Sequence, residues 1–195
     1  MPEFLHRRTI LLSLGVASGL PAAGAAAAQC PDGGAASPAA GEPYQRDSQE
    51  TLFAHAREIM TRNFVAALVT TDHAGLPRVR SIAVSPPEED FRVWVATSPI
   101  SRKVHQIRAR PEVALHYDDK EEMAAVTLMG PATIHTDLET FNEKNFFSEE
   151  DLRGSWPEFP DNFCMISIRP RWLEIVRIGK LAGDVERWRP QGTIL

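Results

Sequence analysis

Short apolar segments separated by turn-forming residues make up most of the chain after residue 46. Asp47 and Glu50 stand at the spacing of a helix-capping pair, and the apolar positions that follow recur at helical spacing up to Asn63, which predicts a first helix. Seven apolar runs of strand length follow and predict about six strands: residues 64–70, 78–84, 91–96, 113–117, 125–135, 163–168 and 172–178. Gly130-Pro131, inside the fifth of these runs, predicts a bulge or a bend.

Two further helical patterns interrupt these strands. Ser98-Pro99 predicts a helix start, with serine as the N-cap and proline in the first turn, and Arg110-Pro111 ends that helix. A second helical pattern covers residues 138–152, although Asn and Ser residues interrupt it. The turn at residues 72–75 predicts a hairpin between its flanking strands. Because helices do not follow the strands in regular alternation, we expect a mainly β (α+β) domain with antiparallel neighbours, built as a small closed or partly open barrel.

The first 46 residues carry a different pattern. A paired Arg7-Arg8 precedes an apolar run over residues 10–20, and small residues ending in Ala26-x-Ala28 follow. This order predicts a cleaved twin-arginine export signal over residues 1–28, with an apolar part too short to span a membrane. A linker rich in Ala, Gly and Pro then covers residues 29–46.

We therefore expect one domain over residues 47–195, exported to the periplasm or another extracytoplasmic space and without a stable membrane span after cleavage. Because the twin-arginine route carries proteins that are already folded, it fits a cofactor loaded in the cytoplasm. The alternatives are a retained anchor and a chance apolar start.

Charge and residue counts exclude several classes of protein. The 195 residues include 21 Lys and Arg against 26 Asp and Glu, and this net charge of −5 gives no basic field for nucleic acid. Two Cys cannot build a disulfide scaffold or a four-cysteine zinc site, and the six His show no metal-binding spacing, so no metal is expected. Cys164 lies in an apolar strand and is expected to be a core thiol, with a disulfide to Cys30 as the alternative.

One segment departs from the acidic average. Residues 78–110 hold seven Lys and Arg against three Asp and Glu. Arg78 and Arg80 alternate along one strand and therefore share a face. Ser101-Arg102-Lys103 lies at the predicted helix start, where backbone N–H groups and the helix dipole favour an anion. These residues suggest a phosphate site, and the alternative is a solvated helix face beside edge-strand charges that prevent aggregation.

The order of these motifs resembles a known family. Arg78-x-Arg80-Ser81, the strand at 91–97, the Ser101-Arg102-Lys103 helix start and the run at 110–115 are together similar to the pyridoxamine 5′-phosphate oxidase-like proteins, which are FMN-binding split β-barrels. The loop at 156–161 and the segment at 168–174 are most similar to the bacterial general stress protein branch of that family. The resemblance covers roughly residues 48–178.

The resemblance implies a six-stranded antiparallel split β-barrel with peripheral helices, which forms a homodimer with FMN at the subunit interface. It implies the following cofactor-binding residues: Arg78, Val79, Arg80 and Ser81 along the flavin and its phosphate arm, Ala96 and Thr97 near the ring or the ribityl chain, and Ser101, Arg102 and Lys103 at the phosphate. Trp188 aligns poorly with a late aromatic element that reaches the cofactor. For Trp94 and Trp172, core packing is the favoured interpretation and stacking near the flavin is the alternative.

Two departures from the family pattern narrow the expected function. Ala124-Ala125 stands near the position of an Arg-Gln pair in the oxidase itself, and the segment 185–188 replaces its substrate-binding Arg-x-His. We therefore expect an FMN-dependent oxidoreductase that acts on another small molecule, and no acid–base catalytic residue is identified. The alternatives are a deazaflavin (F420)-dependent reductase on the same fold and a non-catalytic flavin-binding or haem-binding stress protein.

Overall fold

The computed structural model describes residues 45–156, 158–159, 161–182 and 189–195. Its helices are α1 (Gln49–Arg62), α2 (Arg102–Ala109), α3 (Leu138–Lys144) and α4 (Glu149–Ser155). Its strands are β1 (Val65–Thr71), β2 (Pro77–Ala83), β3 (Val93–Thr97), β4 (Glu112–Asp119), β5 (Ala124–His135), β6 (Cys164–Ile168), β7 (Trp172–Arg177) and β8 (Gln191–Ile194). The predicted export signal, nearly all of the predicted linker, Cys30 and Trp188 lie outside the described residues. None of the described helices is long and apolar enough to cross a membrane.

The strands form one curled antiparallel sheet. Its main path has the order β2-β1-β4-β5-β6-β3, and β7 pairs with β5 and carries β8 on its other side. Strands β2 and β3 are the two ends of the main path, and each has a single strand partner, so the curled sheet is open between them. This arrangement confirms the antiparallel split barrel with peripheral helices, although the described residues form eight strands rather than six.

Gly130 marks the point where β5 changes its partner strand. Up to Met129, β5 pairs with β7, and from Ala132 onward it pairs with β6. The turn between β6 and β7 crosses directly over Gly130, because a Cβ atom there would lie 2.4 Å from the carbonyl oxygen of Arg169. Only glycine fits this close approach of two backbone segments. The position of this change of partner is the one where the sequence predicted a bulge or a bend.

The main core fills the inside of the curled sheet. α1 and α2 each bury one apolar face in it, and the side chains that do so are at most 2% exposed: Leu52, Ala56, Ile59 and Met60 from α1, and Val104 and Ile107 from α2. Fully burying one of the larger of these side chains contributes about 1.5–3 kcal/mol. α2 packs against β1 and β5, and this burial fixes the position of its N-terminus.

A second, aromatic core covers the other side of β3 and β6. Trp94 packs there with side chains from α3, α4, β6 and the residue before β6: Phe141, Leu152, Met165 and Phe163. The Trp94 ring is 5% exposed, and its Nε1 donates to a carboxylate oxygen of Glu88 at 2.9 Å. Core packing is therefore the role of Trp94 in this chain. Trp172 packs across Gly192, where a Cβ atom would lie 2.6 Å from the indole ring.

The helical pattern predicted over residues 138–152, with its interruption by Asn and Ser, forms two helices, and the break lies between Asn145 and Ser148. Asn145 is the C-cap of α3, and Ser148 is the N-cap of α4. The Ser148 hydroxyl accepts from the backbone N–H of Asp151, and the Asp151 carboxylate accepts from the backbone N–H of Ser148. This capping box competes with a continuous helix, because the side chains take hydrogen bonds that the helical backbone would otherwise make.

The last strand, β8, is fixed by a buried amide. Gln191 is 2% exposed. Its Oε1 accepts from the backbone N–H groups of Arg46 and Asp47 at 2.7 and 2.8 Å, and its Nε2 donates to the Asp47 carboxylate and to the carbonyl of Ala182 at 2.6 and 2.9 Å. Because Asp47 is engaged here, Ser48 caps α1, and the predicted capping role of Asp47 is wrong. Because polar hydrogen bonds rather than an apolar run hold β8 in place, the sequence pattern did not predict this strand.

We expect Gly130→Ala to lower the melting temperature, because its methyl group meets the backbone of the β6–β7 turn. Overpacking of this kind costs about 1–3 kcal/mol, which corresponds to several degrees in a domain of this size. Gly154→Ala in α4 is the matched control, because a Cβ atom there meets nothing within 4 Å and alanine favours a helix. Equal melting temperatures for the two variants, measured by circular dichroism, would contradict the role given to Gly130.

Candidate functional site

The N-terminus of α2 lies at the open side of the barrel, directly after β3. Its N-cap is Ser101, in extended conformation, and the chain reaches it through a turn in which the Ser101 N–H donates to the carbonyl of Ser98 at 3.1 Å. The helix start predicted at Ser98-Pro99 is therefore too early. The chain needs residues 98–100 to turn away from β3 before the helix can begin.

This helix start is left without a side-chain cap. α1, α3 and α4 are each capped by a side-chain oxygen, from Ser48, Asp137 and Ser148 respectively, whereas the Ser101 hydroxyl caps nothing. The first turn of α2 holds no acidic residue and instead begins with Arg102-Lys103. Within the part of the chain that the structure describes, no acceptor takes the backbone N–H groups of Arg102 or Lys103. Cations here oppose the helix dipole, so the arrangement is suited to an external anion.

Arg80 approaches this helix start from the edge strand β2. Its Nη1 donates to the Thr70 hydroxyl at 2.6 Å and to the carbonyl of Leu68 at 3.3 Å, and its Nη2 donates to Oε1 of Gln106 at 3.0 Å. The Thr70 hydroxyl donates in turn to the same Gln106 oxygen at 2.6 Å. The guanidinium group is therefore held by β1 and α2 through neutral partners alone.

Three cations meet here, and we call Arg80, Arg102, Lys103 and the N-terminus of α2 the cation cluster. Across the described residues, no carboxylate lies within 4.0 Å of any of these three side-chain charges. Burial, and next the charge of Arg102, lower the pKa of Arg80. Burial, and next the charge of Arg80, lower the pKa of Lys103. Their positive charges are thus mutually destabilising, and a bound anion would remove that cost.

Arg78 has the same residue type, strand and face as Arg80, but its charge is already compensated. Its Nε and Nη2 donate to one carboxylate oxygen of Asp72 at 2.8 and 2.7 Å. The other oxygen of Asp72 accepts from the backbone N–H groups of Ala74 and Leu76, and these bonds, with that of Arg78, lower the pKa of the carboxyl group. Arg78 therefore closes the β1–β2 hairpin, and its predicted contact with a cofactor stays a prediction.

The remaining predicted residues divide between two faces of their strands. Thr97 is buried beside the cluster, with its hydroxyl 3.4 Å from that of Ser101. Ala96 points to the opposite face of β3 and packs against the aromatic core. Val79 and Ser81 likewise alternate with Arg80 and face the outside of the sheet. Roles for these three side chains stay predictions from the resemblance.

Cys164 lies across from Thr97 in the β3–β6 pair and is 1% exposed, which confirms a core thiol. Burial raises its pKa, and the nearby charges of Arg108 and Lys103 oppose that effect. No described contact joins a histidine to the cation cluster. His105 is exposed, and His116 contacts Thr127 instead. Where the structure describes the chain, no group of three or more His, Cys, Asp and Glu is placed to hold a metal ion.

Thr70 and Gln106 are functional candidates that the sequence did not indicate. Thr70 stands inside an apolar strand run, and Gln106 lies between Val104 and Ile107, which face the core. A polar residue at such positions is a weak signal by itself. The contact among Thr70, Arg80 and Gln106 depends on the pairing of Leu68 with Arg80 across β1 and β2, which no local motif reveals.

Solved structures with a similar fold come from several bacteria. A protein from Clostridium acetobutylicum that is related to general stress protein 26 gives a TM-score of 0.59 at 13% identity, covering 72% of this chain and 99% of that one. A pyridoxamine 5′-phosphate oxidase-related, FMN binding protein from Nostoc punctiforme PCC 73102 gives 0.56 at 14% identity, covering 78% and 99%. A heme binding protein from Mycobacterium smegmatis gives 0.56 at 16% identity, covering 77% and 60%. These likenesses show the fold.

The sequence gives the family. Among curated proteins, none matches the chain significantly. A family model described as pyridoxamine 5′-phosphate oxidase matches residues 52–175, a segment that runs from α1 through β7 and includes the whole cation cluster. Because this match covers more than half of the chain, the protein belongs to the pyridoxamine 5′-phosphate oxidase family.

Proposed function

We propose that this protein binds FMN, with the phosphate at the cation cluster, and acts as an FMN-dependent oxidoreductase on a small molecule. The observation that carries the proposal is the meeting of Arg80, Arg102 and Lys103 around an uncapped helix N-terminus without any compensating carboxylate among the described residues. The family match supports it, and so does the similar fold of the FMN binding protein from Nostoc punctiforme.

A flavin phosphate fits the donors that the cluster offers. The phosphate carries up to two negative charges, and three cations with two backbone N–H groups give it charge-assisted hydrogen bonds. Ser101 adds a hydroxyl that caps nothing else, and Thr97 lies next to it. When bound, FMN would supply hydride or electron transfer at its ring. The chain itself would bind the phosphate arm, orient the ring and exclude water.

Two other ligands compete with this proposal. One is F420, which also carries a phosphate and has a longer acidic tail. The other is haem, because the fold is similar to that of the heme binding protein from Mycobacterium smegmatis. A haem-binding or non-catalytic flavin-binding protein would need no turnover at all. The cluster favours FMN over haem, because three cations at a helix N-terminus match the charge of a phosphate, which haem lacks. Mass spectrometry of the ligand released from purified protein separates the three.

Removing one cluster cation should weaken FMN binding. We expect Arg80→Ala and Lys103→Ala each to raise the FMN dissociation constant about ten- to a hundredfold, because each loses a charge-assisted contact worth about 1.5–3 kcal/mol. Arg78→Ala should have a smaller effect, because Asp72 already compensates its charge. Flavin fluorescence quenching measures the affinity, and Lys120→Ala in the exposed β4–β5 turn is the charge-matched control. Unchanged FMN affinity in both cluster variants would refute the site.

We also propose a homodimer, formed through the outer face of the sheet. Directly paired residues form one apolar row across six strands of that face: Val79, Val69, Ala114, Met129, Trp172 and Ile194. Val79 and Ile194 at its two ends are 66% and 57% exposed in the single chain. The family resemblance implies a homodimer, and we assign its interface to this face because a continuous apolar row of this kind marks an interaction surface.

The dimer can be tested by sedimentation velocity. Wild-type protein should sediment as a dimer. Val79→Asp or Ile194→Asp should shift the protein towards monomer, because each substitution places a charge in the buried interface. Neither substitution should unfold the single chain, in which both positions are exposed. Leu138→Asp on α3, whose side chain is also exposed, is the control and should leave the dimer intact. A wild-type monomer that still binds FMN would contradict the proposed interface.

Export through the twin-arginine route completes the proposal. Arg7 and Arg8 precede the apolar run, and a folded, cofactor-loaded domain is the cargo for which this route is suited. We expect Arg7→Lys combined with Arg8→Lys to retain the protein in the cytoplasm of a bacterial host, as measured by cell fractionation. Arg46→Lys, beyond the predicted signal, is the control. Normal export of the paired variant would refute a twin-arginine signal.

A further inference from the structure

Thr70 and Gln106 hold Arg80 by one end of its guanidinium group. Arg80 donates from Nη1 to the Thr70 hydroxyl and from Nη2 to Oε1 of Gln106, and these two acceptor oxygens are 2.6 Å apart because they are hydrogen-bonded to each other. Two acceptors so close together take the pair of N–H groups at the end of the planar fork. The second N–H of Nη1 points towards the carbonyl of Leu68 at 3.3 Å.

The opposite edge of the fork is left for a ligand. A guanidinium group has five N–H donors, and the bonds to Thr70, Gln106 and Leu68 use three of them. The N–H of Nε and the second N–H of Nη2 remain, and no residue in the described ranges accepts from them. These two donors lie side by side in the geometry that binds a phosphate or a carboxylate through two parallel hydrogen bonds.

Both residues that hold Arg80 are uncharged. A glutamate at position 106 would hold the guanidinium group with the same geometry, but it would cancel its charge, as Asp72 does for Arg78. Thr70 is 1% exposed, so its hydroxyl cannot be replaced by water without disturbing the core. The pair therefore fixes Arg80 while it preserves the positive charge.

We propose that Thr70 and Gln106 are positioning residues, which present the side edge of Arg80 to the ligand phosphate, and that the neutral amide at position 106 makes the site select a phosphorylated flavin over the same flavin without its phosphate. This inference rests on the proposed FMN site and adds the residues that determine its selectivity. The signature of the role is the ratio of the riboflavin to the FMN dissociation constant, because riboflavin lacks only the phosphate.

The decisive variant is Gln106→Glu, which keeps the side-chain length and the acceptor oxygen. We expect its FMN dissociation constant to rise at least tenfold while that of riboflavin changes less than about twofold, because the new carboxylate pairs with Arg80. Gln106→Leu removes the acceptor but leaves the charge, so it should fall between wild type and Gln106→Glu in FMN affinity. Thr61→Glu on the exposed side of α1 is the control for an added negative charge.

Thr70 gives an independent arm of the same experiment. Thr70→Val keeps the shape but loses the hydroxyl, and it should lower the riboflavin-to-FMN ratio of dissociation constants. Thr70→Ser keeps the hydroxyl and should restore that ratio. Melting temperatures of all variants show whether they are folded, and a loss of FMN affinity with equal loss of riboflavin affinity would indicate a merely structural role.

The outcomes separate this inference from the proposed function. Wild-type protein that binds neither flavin overturns both. If wild-type protein prefers FMN, two results for Gln106→Glu would overturn the selectivity role and leave the FMN site standing. One is an unchanged ratio of the riboflavin to the FMN dissociation constant, and the other is tighter FMN binding than that of Gln106→Leu. The selectivity role is supported if the riboflavin-to-FMN ratio of dissociation constants falls in Gln106→Glu and in Thr70→Val but is restored in Thr70→Ser.

Discussion

The change of partner in β5 is the constraint on which the rest of the barrel depends. β5 pairs with β4 and β7 in its first part and with β6 after Gly130, and the turn between β6 and β7 lies against that glycine. β6 pairs with β5 beyond this point and with β3 on its other side. As a result β3 ends the main path opposite β2, and the sheet curls without closing.

The open side of the barrel then sets the chemistry of the site. β2 brings Arg80, and the connection after β3 brings Ser101, Arg102 and Lys103, so cations from distant parts of the sequence meet where the sheet has no strand between its ends. Two local rules are broken here: the helix begins without a cap or an acidic residue, and like charges, two of them half-buried, meet without a carboxylate. The stability for this comes from elsewhere, from the apolar faces of α1 and α2 in the main core.

Much of this fold follows from the sequence because strand runs, hairpin turns and helix periodicity are local. The positions of β1 to β7, α1 and α2 were predicted within a few residues, apart from the start of α2. β8 was not, because Gln191 holds it through bonds to Asp47 and Ala182 rather than through an apolar pattern. The cations at the start of α2 could also be recognised from the local sequence, because cations at a helix start are unusual. The hydrogen-bond partners of Arg80 were not visible, because they depend on strand register.

Arg78 and Arg80 show where local inference ends. Both are arginines, two positions apart on one face of β2, and the sequence predicted the same role for both. The turn between β1 and β2 supplies Asp72 to Arg78, a partner six residues away. The packing of α2 on β1 supplies Thr70 and Gln106 to Arg80, the latter 26 residues away. Only the second set of partners is neutral, so the barrel architecture, and not the motif, decides which of the two arginines keeps its charge for a ligand.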